Sequence, residues 1–247
     1  MRYLRLLGLA MLVGLAAQTA FGRTQGSEAQ MAAGLQDKIY HSHVFDHGQV
    51  QAALENGVAT LTGTVDSLGA KLDAERAARK APGVVQVIDR IQVRAKDATA
   101  AQILEAARKQ VVTYYAYGIF DNVVLQAEGD KLTLSGQVTQ PFKKQDLGNL
   151  LAHLRGVATL ENNLEVLPAS FFDDGLRLAV ARAIYGDPLF VRYGVRVLPP
   201  IHIIVKNGNV ALEGAVATPL DRIKAGMDAS LAGLSFSLVN NLHVDRG

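Results

Sequence analysis

Imidazole side chains are the groups in this sequence best suited to metal binding or to proton transfer near neutral pH. The densest cluster is formed by His41, His43 and His47, of which the last two are four residues apart. A spacing of four places two rings on one face of a helix, which a metal site can use. The surrounding residues read as a helix end followed by a loop, where the helix dipole favours histidine. We therefore expect a solvated helix terminus, with metal binding as the alternative.

Other catalytic chemistry has little support in the sequence. The 247 residues include no cysteine, which excludes disulfide frameworks, thiolate metal sites and cysteine nucleophiles. No serine lies in a Gly-x-Ser-x-Gly elbow, and no phosphate-binding glycine loop ends in Lys-Ser or Lys-Thr. His153, His202 and His243 occur singly, so we expect them at surfaces or interfaces. The sequence predicts a protein that is not an enzyme and holds no cofactor and no metal.

The N-terminal segment, residues 1–22, is typical of a signal peptide. Arg2 and Arg5 precede an apolar run from Leu6 to Ala17, and Ala20 and Gly22 supply small residues for cleavage after Gly22. A retained anchor or a short buried helix is the alternative. No cysteine is present for a lipoprotein anchor. Of 25 Lys and Arg residues against 23 Asp and Glu, only two basic residues lie in this segment, so the remainder is neutral. Neutrality argues against nucleic acid as a partner, and the segment predicts a periplasmic protein.

Three segments of the chain repeat one pattern. Each has a landmark glycine with an aliphatic residue two positions before it and Val two positions after it, and these glycines are Gly63, Gly136 and Gly214. A second apolar segment ends 30 residues later in every case, at Val93, Val166 and Val244. Turn dipeptides precede each pattern at Asn56-Gly57, Gly129-Asp130 and Asn207-Gly208. The glycines are predicted to be structural, permitting positive φ or a close helix–sheet approach.

Helical periodicity occurs before each hairpin and again after it. The apolar residues expected to face the core in the later helices are Leu68 and Leu72, then Leu147, Leu150, Leu151 and Leu154, then Leu220, Ile223, Met227 and Leu231. The pattern predicts an α+β protein of three tandem, small, two-layer αββαβ domains, at residues 28–94, 98–167 and 173–246, each a three-stranded sheet with two helices on one face. The repeats differ in length only before the hairpins, where we expect loops. Asp89, Asn162 and Asn240 recur in the closing strands and predict a bulge or an edge hydrogen bond.

These hairpins and closing segments resemble the BON family of bacterial envelope domains. The third repeat matches the pattern best, over Ile201 to Val216 and Val239 to Val244, and the first departs most, with Asp89-Arg90 in place of an asparagine pair. The resemblance implies a mixed sheet on two helices, export to the periplasm, and binding of phospholipid or another envelope surface under osmotic or other stress. It carries no catalytic residues.

Two aromatic groups are candidates for lipid or partner contact. Tyr114, Tyr115, Tyr117 and Phe120 lie near Arg108, Lys109, Lys143 and Lys144, and Phe171 and Phe172 lie between the second and third repeats. Aromatic rings can enter the headgroup boundary while the cations attract anionic lipid; packing in the core or between domains is the alternative. The sequence therefore favours a protein that binds membrane phospholipid. The second hypothesis is a structural or interaction module that binds an envelope protein or self-associates; the oligomeric state stays open.

Overall fold

The computed structural model describes residues 28–42, 44–94 and 98–245. The chain divides into two compact units, residues 1–96 (the N-terminal unit) and residues 97–247 (the C-terminal unit). The predicted signal peptide and His43 lie outside the described residues. No helix within the described ranges is both long enough and apolar enough to cross a bilayer.

The N-terminal unit contains the first repeat. Helix α1 covers residues 28–40 and is followed by strands β1 (Gly48–Glu55) and β2 (Val58–Val65), helix α2 (Leu68–Arg79) and strand β3 (Gln86–Val93). β1 pairs with β2 antiparallel and β2 pairs with β3 parallel, which makes a mixed sheet with β2 in the middle. Leu35 and Ile39 of α1 pack against Leu61, Val65 and Ile91 of the sheet in one core. This is the predicted two-layer arrangement.

The C-terminal unit contains the second and third repeats. The second consists of α3 (Ala100–Thr113), β4 (Asn122–Glu128), β5 (Lys131–Val138), α4 (Pro141–Ala152), β6 (Thr159–Asn162) and β7 (Glu165–Val166). The third consists of α5 (Phe171–Tyr185), α6 (Val191–Gly194), β8 (Ile201–Lys206), β9 (Asn209–Val216), α7 (Pro219–Leu231), β10 (Ser237–Asn240) and β11 (His243–Val244). β5 and β9 are the central strands, each with an antiparallel neighbour on one side and a parallel closing strand on the other. The α+β class, the mixed sheets and the αββαβ order agree with the sequence prediction. The exact domain limits remain predictions.

The turns and landmark glycines have the backbone that the repeat pattern requires. Asn56 and Asn207 have φ of 49° and 50°, and the glycines after them have φ of 79° and 77°. Gly63, Gly136 and Gly214 have φ of 139°, 105° and 103°. A Cβ at these three glycines would lie 2.0–2.1 Å from a backbone carbonyl oxygen, which belongs to the neighbouring strand for Gly63 and Gly136 and to Pro200, just before β8, for Gly214. The close approach is therefore between two strands, whereas the sequence suggested one between helix and sheet.

The inward faces of the later helices differ from the prediction. In α2 the buried residues are Gly69, Ala70, Ala74 and Ala78, while Leu68 and Leu72 are half-buried. In α4 Leu147 and Leu151 are buried but Leu150 is exposed, and Leu154, two residues beyond the helix, is half-buried. In α7 Ala225 and Ala229 face the core, and the expected Leu220, Ile223, Met227 and Leu231 are all exposed. Small residues allow α2 and α7 to approach the sheet closely, which leaves no room for larger side chains.

The additional residues of the third repeat do not form only a loop. A 3-10 turn at Pro188–Phe190 and helix α6 lie between α5 and β8. Phe190 and Tyr193 from this insertion are buried in the core of the third repeat. The Tyr193 hydroxyl donates to Asp221 Oδ2 at 2.8 Å, and it accepts a hydrogen bond from the Ala217 amide. The prediction of a loop was wrong because the insertion carries its own buried aromatic anchors.

The recurrent polar residue of the closing strand joins that strand to the helix above it. Asn162 Nδ2 donates to the Lys144 carbonyl at 2.8 Å, and Asn240 Nδ2 donates to the Arg222 carbonyl at 2.7 Å. In the first repeat Asp89 instead pairs with Lys71 at 3.3 Å. The strand contains no inserted residue, because Asn240 pairs with Leu212 and, three residues later on both strands, His243 pairs with Ala215. The side-chain hydrogen bond is present and the bulge is not.

Candidate functional site

The histidines do not converge on one site. His41 Nδ1 lies 2.9 Å from the Asp37 carbonyl, whereas His47 Nδ1 lies 3.0 Å from Asp66 Oδ1. Within the described residues, no three side chains of His, Cys, Asp or Glu lie close enough together to hold a metal ion. His153 and His243 are exposed, and His202 is buried. The histidines of the described residues are therefore dispersed over the chain.

Two of the predicted aromatic residues hold the second and third repeats together. The Tyr117 ring lies 5.5 Å from the His202 ring of β8. The Ile203 amide of β8 donates to the Ile119 carbonyl at 2.7 Å. Ile119 and Phe120 pack against the core of the third repeat. Burial at this contact raises the pKa of Tyr117 to about 12. Tyr117 and Phe120 therefore serve the contact between repeats.

Tyr114 and Lys143 are occupied inside the second repeat. Tyr114 belongs to its core, and the Tyr114 hydroxyl donates to Asp146 Oδ2 at 2.7 Å. Lys143 Nζ donates to the buried Asp121 at 2.7 Å, and its side chain is only 13% exposed. Lys144 is half-buried on the same helix. Neither Tyr114 nor Lys143 presents its polar group to an external surface.

One predicted aromatic residue remains in water at the end of α3. Tyr115 is 85% exposed, and Val112 on the last turn of the helix is also exposed. Arg108 and Lys109 are exposed on the turn before, and no carboxylate of the described residues pairs with either cation. We call Arg108, Lys109, Val112 and Tyr115 the α3 terminus. It combines unpaired positive charge with apolar surface.

A second exposed group lies at the start of α5. Phe171 is fully exposed, and Phe172 stacks on Phe236 with ring centroids 6.0 Å apart. Phe236, which the sequence analysis did not identify, is 78% exposed. We call these three residues the aromatic cluster. The buried Asp173 fixes its position, because its carboxylate accepts from the backbone amides of Asn207 and Gly208 at 2.8 Å and so ties α5 to the hairpin beneath the rings.

A third exposed surface runs along α7. Leu220, Ile223, Met227 and Leu231 are each more than half exposed and lie on one side of the helix. We call these four residues the α7 stripe. Leu234, just beyond the helix, extends it and is also exposed. The helical spacing was evident in the sequence, but large apolar residues at that spacing ordinarily indicate the core. The alanines on the opposite side of α7 were the signal that could have revealed the exposed face.

The solved structures that match this chain include domains of type III secretion proteins. The C-terminal domain of CdsD, a structural protein of the type III secretion system of Chlamydia trachomatis, gives a TM-score of 0.25 at 14% identity, covering 85% of this chain and 96% of that chain. The periplasmic domain of PrgH, an inner membrane protein of the system from S. typhimurium, gives 0.20 at 13% identity, covering 81% and 94%. At these scores the likeness carries no inference about function. No curated protein matches the chain.

The family comparison concerns the first repeat. The sequence suggested the strongest resemblance in the third repeat and the weakest in the first, whereas the family match covers the first. The match does not extend to the two repeats of the C-terminal unit, although their structures have the same αββαβ order. Residues 27–95 match the BON domain family.

Proposed function

We propose that this protein is a non-catalytic, periplasmic binding protein of the bacterial envelope that engages anionic phospholipid surfaces and supports envelope integrity under osmotic or other stress. The exposed aromatic cluster carries the proposal. Phe171, Phe172 and Phe236 project from the third repeat instead of entering its core. The BON match of residues 27–95 and the signal-like N-terminal segment support the envelope location.

The aromatic cluster suits the boundary between headgroups and acyl chains. Burying a phenylalanine side chain stabilises the bound state by about 1.5–3 kcal/mol when the ring leaves water completely. A membrane surface covers only part of each ring, so the cluster supplies reversible docking and no permanent anchoring. Asp173 and the stacked pair Phe172 and Phe236 keep the rings in place before docking, which lowers the conformational entropy lost on binding.

The α3 terminus supplies the attraction to negative charge. Each Lys or Arg near an anionic leaflet contributes roughly 1 kcal/mol, and this contribution decreases as salt screens it. Arg108 and Lys109 are free to do so, whereas Lys143 is held by Asp121. Two weak surfaces on one chain bind more tightly together than either does alone when both can reach the membrane.

Cosedimentation with vesicles tests this function. The purified protein is mixed with vesicles of phosphatidylcholine alone or with phosphatidylglycerol added, at low and at high salt. We expect F171S/F172S to weaken binding about tenfold to both kinds of vesicle, since about 1.4 kcal/mol corresponds to a factor of ten. We expect R108Q/K109Q to weaken binding only to the anionic vesicles, and only at low salt.

Matched controls are available in the same unit. Val195 and Val197 are exposed apolar residues outside the three surfaces, so V195S/V197S removes the same kind of surface and should bind like the unchanged protein. R155Q/R182Q likewise removes two exposed cations elsewhere. Vesicle binding that ignores lipid charge and survives loss of both phenylalanines would contradict the proposal.

A further inference from the structure

Helix α7 is apolar on two opposite sides, which its place in the fold does not require. Ala225 and Ala229 face the core, and the α7 stripe faces water. At about 100° per residue, the buried and exposed rows are centred roughly 175° apart. At the positions that correspond to Met227 and Leu231, the first repeat instead has Arg76 in α2 and Lys80 at its C-cap. The αββαβ architecture therefore forms without an apolar outer face, and the α7 stripe needs another explanation.

The margins of the α7 stripe favour a protein surface over an anionic membrane. On one margin Lys224 pairs with Asp187 at 2.6 Å and also with Asp228. On the other margin Ser230 is small and exposed, and Gly226 lies against the Asn240 side chain of β10, which a Cβ there would approach to 2.8 Å. Residues 171–245 contain seven Lys and Arg against seven Asp and Glu. A neutral surface with paired margins gains nothing from anionic headgroups, unlike the α3 terminus.

We propose that the α7 stripe docks against the α7 stripe of a second copy of this chain, with the two helices antiparallel about a two-fold axis near Gly226. This arrangement is self-complementary, as two-fold contacts must be. It places Leu220 of one protomer near Leu231 of the other, and Lys224 of one protomer near Asp228 of the other. The two charged pairs then exchange partners across the axis without any like-charge contact.

The size of the surface agrees with such a dimer. The α7 stripe and Leu234 together expose on the order of 500 Å² of apolar surface, and the polar margins raise a helix-to-helix contact toward the roughly 800 Å² per partner of a stable complex. An apolar centre within a polar rim is the usual composition of such interfaces. The inference does not rest on the proposed membrane function, because it uses a different surface.

Sedimentation velocity over about 1 to 100 μM protein tests the dimer at concentrations where a micromolar Kd is resolved. We expect the unchanged protein to show a concentration-dependent dimer. The variant M227E/L231E should raise the dimer Kd at least tenfold, because it places four carboxylates in an apolar contact. V195E/V197E adds the same charge at exposed positions outside the α7 stripe and should dimerise normally. Both variants change exposed residues, and circular dichroism checks that they fold.

Cross-linking tests the orientation of the helices. The chain has no native cysteine, so single introduced thiols report one contact each. A mixture of L220C and L231C proteins should form the mixed disulfide, whereas L231C alone should not.

A monomer at every concentration, or a disulfide in L231C alone, would overturn the antiparallel dimer. The dimer would also be overturned if M227E/L231E lost vesicle binding while its sedimentation mass stayed that of the unchanged protein. The α7 stripe would then be a lipid surface. F171S/F172S should dimerise normally, so failure of the membrane function and failure of the dimer can be told apart.

Discussion

The helix that follows the hairpin, α2 in the first repeat and α7 in the third, has a different outer side in the two repeats. Inward, α2 and α7 both present alanines to the sheet, at Ala74 and Ala225 among others. Outward, α2 carries charged residues, with Arg76 paired to Asp73 at 2.6 Å, and α7 carries Met227 among exposed apolar neighbours. The comparison shows that the inner positions specify the fold, while the outer positions can specialise without disturbing it.

The largest effect that we expect tests the shared part of this comparison. Replacing Gly63, Gly136 or Gly214 by Ala should destabilise its repeat by about 2–4 kcal/mol, because a Cβ there collides with the neighbouring strand in a strained backbone conformation. Urea unfolding followed by circular dichroism, with hydrogen exchange to localise the loss, measures it. Gly175→Ala on α5 is the control, since a Cβ there meets nothing within 4 Å and helix propensity should stabilise it by up to about 1 kcal/mol. A tolerated alanine in one repeat only would show that the repeats are not built alike.

A smaller effect should separate the two ways in which the closing strand is joined to its helix. Asn240→Asp replaces the amide donor by a carboxylate oxygen that faces the Arg222 carbonyl, so we expect a loss of about 1–3 kcal/mol. Asp89→Asn in the first repeat loses only the partly exposed pair with Lys71 and should cost less than about 1 kcal/mol. Both variants are compared by urea unfolding. Equal losses in the free energy of unfolding would mean that the Asp89–Lys71 ion pair and the Asn240 hydrogen bond stabilise their repeats equally.

The smallest effect that we expect is a pH dependence of stability caused by His202, which lies on β8 where the second repeat covers that strand. Burial lowers the pKa of His202 below its usual value near 6.5, against the opposing influence of Asp121 and Glu213. The unfolded chain therefore binds a proton at higher pH than the folded chain does, and this part of the stability is complete above about pH 6.5 and declines as the pH falls below it. The urea midpoint should decrease from about pH 7.5 to about pH 5.5, and it should decrease less in His202→Gln. Glutamine is the residue at the corresponding position of the first repeat, Gln51. An identical decrease in the variant would exclude His202 as the cause.

Local chemistry made the strands and turns predictable from the sequence. The positive φ of Asn56 and Gly57 follows from residue types that accept a left-handed turn. The closing strands end at Val93, Val166 and Val244, as the constant spacing indicated. These features depend on neighbours in sequence, so a single chain reveals them.

Tertiary packing limited the prediction of helix faces and of surface residues. Periodicity located the α7 stripe but could not show that the helix buries Ala225 and Ala229 against the sheet and leaves its larger apolar residues in water. Tyr115 and Tyr117 are two residues apart, yet one is exposed and the other lies against His202. Their difference depends on the approach of β8 from another repeat, which sequence spacing does not encode.

The hydrogen bond between Ile203 and Ile119 also bears on aggregation while the chain folds. Ile201 to Val205 form the most apolar strand of the third repeat, and all five residues are buried. An open edge on such a strand is a template for aggregation. Ile119 closes part of that edge, and it precedes β8 along the chain. During synthesis from the N-terminus to the C-terminus, the segment that contains Ile119 is therefore present before the aggregation-prone strand β8 emerges.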